Sequence, residues 1–112
     1  MTIYIANAFS LSMLTPPTTI KVTEASEDEV RRILNQGFIS AIGHEATAKI
    51  VSSRLGVSVQ VNRVSIQLKP SDILVVFQLL TRLPEGKVLS EEEMRNVQAR
   101  WYVVSVSTQG GE

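Results

Sequence analysis

The sequence predicts a single α+β or α/β domain in which a mixed β-sheet of about five strands is flanked by short helices. Its 112 residues suit one hydrophobic core. Stretches with the alternation of strands are interleaved with stretches that carry helix caps and a helical apolar period. Their order is strand, strand, helix, helix, strand, strand, helix, strand, without repeats or a dividing linker. We therefore expect residues 1–112 to form one domain, with residues 108–112 as a flexible tail.

Two strands are predicted near the start of the chain. Residues 2–6 (TIYIA) are rich in β-branched and aromatic side chains, and residues 18–23 (TTIKVT) alternate. Residues 11–14 between them suit one helical turn, because Pro16 and Pro17 follow and stop it.

Two helices are predicted in the middle of the chain. Ser26 and Glu29 have the spacing of a capping box, and Gly37 closes the apolar helical stripe that follows. A second helix is expected at about residues 43–55, with Gly56 at its C-terminal end.

In the second half of the chain, the sequence pattern predicts strands on either side of a third helix. Residues 57–68 alternate apolar and polar side chains, which predicts one or two strands. Residues 73–80 (ILVVFQLL) predict a central strand that is buried on both faces except at Gln78. Ser90 begins a second capping box, and residues 101–107 (WYVVSVS) predict the last strand.

The composition argues against several classes of protein. Eleven Lys and Arg balance eleven Asp and Glu, so no net charge attracts the chain to a membrane or to DNA, and neither membrane binding nor sequence-specific DNA binding is expected. The absence of cysteine excludes disulfides and thiolate metal sites. The first residues have neither the basic region of a signal peptide nor an uninterrupted apolar span, so we expect a cytoplasmic protein.

His44 is the only histidine, and it lies at the start of the second predicted helix. The first turn of a helix attracts phosphates, and an imidazole beside a bound phosphate can protonate a departing oxygen. Gly43 is expected to leave space for a ligand to approach the backbone. The alternative is a histidine that is merely exposed or hydrogen-bonded. A metal site is not expected, because scattered carboxylates and one histidine do not complete a zinc sphere.

Two segments offer partners for a phosphate or for the imidazole. The loop that contains Arg82 and Glu85 has a guanidinium, which fits a phosphate bidentately, and a carboxylate, which can orient an imidazole. Arg63, which follows an asparagine, has the same possible role. The alternative for each is an ordinary solvated turn.

The remaining polar candidates lie next to predicted strands. Asn7 and Ser10 follow the first strand, where ligands often bind, although either could simply cap the next turn. Gln78 interrupts an apolar run and needs a hydrogen-bond partner if it is buried. Trp101 and Tyr102 are assigned to packing or to an interface.

Several blocks of the sequence together resemble the small viral anti-CRISPR ring nuclease family and its cellular relatives. The blocks are ANAFSLSML, IGHEAT, NRV, and the run ending in Gln78 that leads to RLPEGKVLSEEE. They cover nearly the whole chain in the same order as in that family, with similar lengths between them.

The resemblance implies a two-fold homodimer that binds cyclic tetra-adenylate, the second messenger of type III CRISPR systems, and linearises it without a metal or other cofactor. It implies that His44 is the general acid and that Glu85 pairs with it. It also implies a set of ligand-binding residues, of which the arginines would hold phosphates: Asn7, Ser10, Arg63, Gln78 and Arg82.

The implied reaction is attack of a ribose 2'-hydroxyl on its own 3'-phosphate, which leaves linear products with cyclic 2',3'-phosphate ends and so removes the signal. Because the substrate supplies the nucleophile, the protein needs only to fix the in-line geometry, stabilise the phosphorane charge and protonate the leaving 5'-oxygen. Two other functions stay open. One is a protein that sequesters a cyclic oligonucleotide without cleaving it, and the other is a small structural or nucleic-acid-binding viral protein.

Overall fold

A five-stranded mixed sheet forms the centre of the structure, a computed structural model that describes residues 1–83 and 88–107. Its strands are β1 (Ile3–Ala6), β2 (Thr19–Ala25), β3 (Ile39–Ser40), β4 (Ile73–Leu79) and β5 (Ala99–Ser107). The order across the sheet is β2-β5-β4-β1-β3. Strands β3, β1 and β4 are parallel, whereas β5 is antiparallel to both β4 and β2. The predicted fold class is therefore confirmed, with β4 in the middle of the sheet.

Three short helices lie among the described residues. They are α1 (Glu27–Leu34), α2 (Glu45–Leu55) and α3 (Glu91–Asn96), and a single 3-10 turn spans Leu11–Met13. The predicted caps Ser26, Ser90 and Gly56 adjoin their ends, whereas the first helix ends before the predicted Gly37. The Ser26 hydroxyl accepts the Glu29 amide at 3.2 Å, and Ser90 and Glu93 form a complete capping box. Gly56 ends α2 with φ 68°, which a residue with a side chain rarely adopts.

The two faces of the sheet are covered differently. Residues from α1 and α2 pack on one face, here called the helix face, against Ile5, Val75 and Phe77. The opposite face, the loop face, packs against residues of the 9–14 segment and against Ile66 and Leu68. Because side chains alternate along a strand, consecutive residues of β1 and β4 point to opposite faces.

Arg54 joins the helices on the helix face. Its side chain, 15% exposed, donates from Nε to Glu27 Oε2 at 2.7 Å and from Nη1 to the Val97 carbonyl oxygen at 2.7 Å. Trp101, which packs on Phe77 with ring centroids 4.7 Å apart, donates to the same Glu27 oxygen at 3.2 Å. This network fixes the C-terminal end of α2 against its neighbours.

The strands predicted in residues 57–68 were wrong. The segment is extended, but its hydrogen bonds go to side chains and loops instead of a continuous ladder. The Ser52 hydroxyl bonds both the amide and the carbonyl of Val59, and the Leu68 amide donates to the Met13 carbonyl oxygen at 2.7 Å. Burial of alternate side chains, such as Ile66 and Leu68, produced the strand-like pattern without strand pairing. The fifth strand is instead β3, whose two residues are too few to show a period.

Two of the predictions fall on residues that the structure does not describe. The predicted tail, residues 108–112, and the candidate Glu85 lie outside the described residues. Within residues 1–83 and 88–107, no helix has the length and apolar character needed to cross a membrane.

Candidate functional site

The carboxyl ends of the three parallel strands meet at one edge of the sheet. In open sheets with parallel strands, this edge is where ligands commonly bind. Asn7 directly follows β1, Gly43 and His44 follow β3 after a short loop, and Gln78 is near the end of β4. The sheet topology therefore brings Asn7 close to Gly43 and His44, whereas Gln78 ends up at the same edge but on the opposite face of the sheet.

Hydrogen bonds join three of the candidate segments directly. The Gly43 amide donates to Asn7 Oδ1 at 3.4 Å, and Arg63 Nε donates to the Gly43 carbonyl oxygen at 2.9 Å. Gly43 thus holds Asn7 on one side and Arg63 on the other, and His44 is the next residue along the chain. We call Asn7, Gly43, His44 and Arg63 the edge cluster.

A pair of polar side chains fixes the loop that precedes His44. The Asn62 side chain donates to the Ser40 carbonyl oxygen at 2.7 Å, and the Ser40 hydroxyl donates to the Gln60 carbonyl oxygen at 2.6 Å. The Asn62 amide also donates to the Ile42 carbonyl oxygen at 2.9 Å, and the Ile42 side chain is fully buried. The segment that carries Arg63 is therefore fastened to the segment that carries His44.

His44 is the N-cap residue of α2. Its backbone is extended (φ −124°, ψ 128°), its carbonyl oxygen accepts the first helical hydrogen bond from Ala48 at 3.0 Å, and its side chain makes no capping bond. The residue is exposed. The imidazole is consequently not used to cap the helix, and the first-turn amides of α2 remain available as donors beside it.

The expectation that Gly43 leaves space for a ligand stays a prediction. A β-carbon built on Gly43 would lie 3.6 Å from Cγ of Arg63, an ordinary van der Waals contact. Within 4 Å of that position, Arg63 Cγ is the one neighbour among the described residues. What the glycine supplies to the site is its amide and its carbonyl oxygen.

The Arg63 guanidinium gives the edge cluster a positive charge next to the N-terminal end of α2. Among the described residues, Arg63 makes no ion pair, and its terminal guanidinium nitrogens have no hydrogen-bond partner. With the N-terminal dipole of α2 beside it, the unpaired guanidinium favours an anion. The described ranges also contain no group of three or more His, Cys, Asp or Glu residues that could hold a metal ion.

Ser10 and Gln78 lie apart from the edge cluster. Ser10 caps the 3-10 turn, since its hydroxyl accepts the Ser12 amide at 3.3 Å, which is the capping role considered from the sequence. Gln78 is exposed and donates to the Leu79 carbonyl oxygen at 3.2 Å. By alternation along β4 it belongs to the loop face, whereas α2 and His44 are on the helix face.

Arg82 is exposed beyond the end of β4 and lines a cavity of about 480 Å³ together with residues of α3, including Glu92 and Asn96. Arg63 lines a different groove of about 840 Å³ along α2, together with Lys49 and Glu91. The two arginines therefore line different cavities of one chain.

The sequence did not single out two polar residues that position the edge cluster, nor Arg100, which is on the same face of the sheet as Gln78. Ser40 and Asn62 form the bonds that position Arg63, and the only signal for them was the asparagine that precedes the arginine in NRV. Arg100 lies directly opposite Gln78 in the β4–β5 ladder. A hydrogen bond with the Tyr102 hydroxyl, and then the charge of Glu24, raise the pKa of Arg100. Only the register reveals that Arg100 is next to Gln78.

Comparison with known proteins supplies the family. A family model described as STIV B116-like matches residues 3–101. The chain belongs to the STIV B116-like family. The solved structure of B116 of Sulfolobus turreted icosahedral virus, a member that gives the family its description, is similar with a TM-score of 0.82 and 31% identity, covering 94% of this chain and 99% of that one.

Relatives of the STIV B116-like chain occur in other viruses and in a bacterium. Uncharacterized protein 26 of Sulfolobus islandicus filamentous virus (isolate Iceland/Hveragerdi) is 36% identical over 109 residues, which cover 95% of this chain and 92% of that protein. Uncharacterized protein YddF of Bacillus subtilis is 25% identical over 96 residues, which cover 83% of this chain and 89% of that protein.

Proposed function

We propose that this protein is a metal-independent ring nuclease that binds cyclic tetra-adenylate and cleaves it to linear products with cyclic 2',3'-phosphate ends, and that it thereby acts against type III CRISPR signalling. The observation that carries the proposal is the edge cluster. His44 is exposed and its side chain does not cap the helix. The residue before it, Gly43, accepts a hydrogen bond from Arg63 Nε at 2.9 Å through its carbonyl oxygen. A proton donor and a phosphate-binding cation are therefore held by one short stretch of backbone.

The edge cluster suits cleavage by a nucleophile that belongs to the substrate. The ribose 2'-hydroxyl forms a bond to its adjacent phosphorus, the bond from phosphorus to the 5'-oxygen breaks, and the 2'-hydroxyl proton leaves to solvent. His44 in its protonated form gives its proton to the 5'-oxygen, which leaves as a hydroxyl. Arg63 and the first-turn amides of α2 stabilise the negative charge on the phosphorane oxygens.

A homodimer fits the ring and explains the separation of the arginines. A ring of four identical nucleotides has a two-fold axis, so two copies of the chain can present the same residues to each half. Arg63 and Arg82 line different cavities of one chain. In a dimer, Arg82, Gln78 and Ser10 of one subunit contact phosphates or riboses that the partner's edge cluster does not reach. The resemblance assigns Glu85, which lies outside the described residues, as the partner of His44.

The decisive experiment is to mix the purified protein with cyclic tetra-adenylate in the presence of EDTA and to resolve the products. Linear products with cyclic 2',3'-phosphate ends support the proposal. Tight binding without cleavage would instead establish a protein that sequesters the ring. A protein that does not bind the ring and does not cleave it would overturn the proposal. Sedimentation of the free and ligand-bound protein tests the dimer, because a complex of one ring with two chains is expected.

A further inference from the structure

A cavity of about 440 Å³ lies between α2, α3 and the segment after β4. Its walls are mainly apolar and include Ala46, Ile50, Leu83, Leu89 and Met94. Small-molecule sites typically have this volume and this character, with a few polar groups that set the orientation of the ligand.

The cavity begins directly beside the edge cluster. Glu45 and Ala46, the first two residues of α2, line it and immediately follow His44. A ligand whose phosphate lies at the first-turn amides of α2 would therefore have its neighbouring group within reach of the cavity.

We propose that this cavity binds the purine base of the nucleotide next to the cleaved phosphate, which rests on the proposed function and extends it to base recognition. The flat apolar surface of a purine fits walls made of Leu83 and Leu89, and the Met94 thioether makes a favourable contact with an aromatic ring. A pyrimidine, having one ring, loses part of this contact area.

Two exposed charged side chains supply the polar groups. The Glu45 carboxylate and the Lys49 ammonium both line the cavity and form only a loose ion pair, with 3.7 Å between Oε1 and Nζ. Their side chains are 79% and 62% exposed, so little free energy holds them together. The carboxylate can accept a hydrogen bond from the exocyclic amine of adenine, and the ammonium can donate to a ring nitrogen or a ribose oxygen.

The first test is methyl NMR with adenosine 5'-monophosphate as the probe. We expect saturable chemical-shift changes at the methyl groups of Ile50, Leu89 and Met94, whereas Leu68 on the loop face stays unchanged. Cytidine 5'-monophosphate should bind at least about tenfold more weakly, because removing apolar contacts from a pocket has effects of this size. Equal shifts with both nucleotides, or no shifts at the three methyl groups, would overturn the inference.

The second test uses variants that change the cavity but not the edge cluster. Ala46→Leu fills the cavity on a helix that tolerates leucine, and Met94→Ala removes part of a wall without weakening the helix. Each should reduce single-turnover cleavage of cyclic tetra-adenylate by about tenfold or more. Arg32→Leu, which adds a leucine at an exposed position of α1, is the matched control and should cleave at the wild-type rate.

The outcomes separate this inference from the proposed function. A wild-type protein that cleaves the ring while both cavity variants cleave it equally fast contradicts the base site and leaves the ring nuclease intact. A wild-type protein that neither binds nor cleaves the ring contradicts the ring nuclease, and the nucleotide titration then decides the cavity by itself.

Discussion

Arg63 donates a hydrogen bond from Nε to the carbonyl oxygen of Gly43, 2.9 Å away and one residue before His44. Using Nε in this way orients the guanidinium and leaves its two terminal nitrogens to bind an anion. The same bond makes the positions of Arg63 and His44 depend on each other. A substitution in the segment that carries Arg63 should therefore also shift the position of His44.

Replacing Arg63 tests the phosphate role. Arg63→Ala removes a charge-assisted contact, and we expect the affinity for cyclic tetra-adenylate to fall about ten- to a hundredfold, which corresponds to about 1.5 to 3 kcal/mol. Because Arg63 is exposed, the melting temperature should hardly change. Isothermal titration and thermal unfolding measure the two quantities, and wild-type affinity in the alanine variant would exclude a phosphate contact.

Replacing His44 tests general acid catalysis. His44→Ala should reduce single-turnover cleavage by about 10²- to 10⁴-fold, while binding of the ring largely survives. Its side chain makes no capping bond, so the free energy of unfolding should stay near the wild-type value. Unchanged cleavage would remove the imidazole from the mechanism, and a cooperative loss of folding would show a structural role instead.

Glu85→Gln tests the pairing that the resemblance implies. A carboxylate stabilises the protonated imidazole, so its loss should move the alkaline limb of the pH–rate profile to lower pH and slow cleavage at neutral pH. At acid pH, where the imidazole is protonated in both proteins, the two rates should converge. The measurement is the rate of single-turnover cleavage across the pH range, and coincident profiles would count against the pair.

Asn62→Ala tests whether positioning of the Arg63 segment matters. The variant loses the 2.7 Å bond to the Ser40 carbonyl oxygen, which should lower the free energy of unfolding by about 1 kcal/mol and also reduce cleavage. Gln60→Ala is a control from the same segment, because only the backbone carbonyl of Gln60 is used in bonding to Ser40. Urea denaturation and cleavage rates of the two variants should differ, and identical behaviour would contradict this role for Asn62.

Arg54→Met tests the network that fixes the end of α2. The substitution removes the shortest bond to the half-buried Glu27 carboxylate, which keeps its bond from Trp101, and removes the donor to the Val97 carbonyl oxygen. We therefore expect a loss of about 2 kcal/mol in the free energy of unfolding. Arg32→Met in the exposed surface of α1 should change it by less than about 0.5 kcal/mol. Similar values for both variants, measured by urea denaturation, would show that the network contributes little.

The helices and the long strands could be predicted because their signals are local. Ser90 with Glu93, and Gly56 after an apolar stripe, determine where α3 begins and α2 ends through contacts within a few residues. The apolar run of β4 marks a strand buried on both faces, and Gln78 at its exposed position marks where that burial stops.

The structure of residues 57–68 beside β3 could not be predicted, because the hydrogen bonds that hold this segment join residues far apart in the sequence. The side chains of Ser40 and Asn62 bond to backbone groups of each other's segments, and these bonds stand in place of a regular ladder there. Nothing in the local pattern distinguishes a valine paired in a ladder from Val59, whose backbone bonds to a serine hydroxyl. For the same reason the contact between Gly43 and the Arg63 side chain was missed.

The position of β5 has a consequence for the synthesis of this chain. β2 is at one edge of the sheet and its only described neighbour there is β5, with Ala25 facing Trp101 and Thr19 facing Ser107. On a ribosome, β2 cannot pair in the sheet until residues 99–107 have emerged. Nascent chains arrested before residue 99 should therefore remain open to chaperones and proteases, and the emergence of β5 should close this side of the sheet.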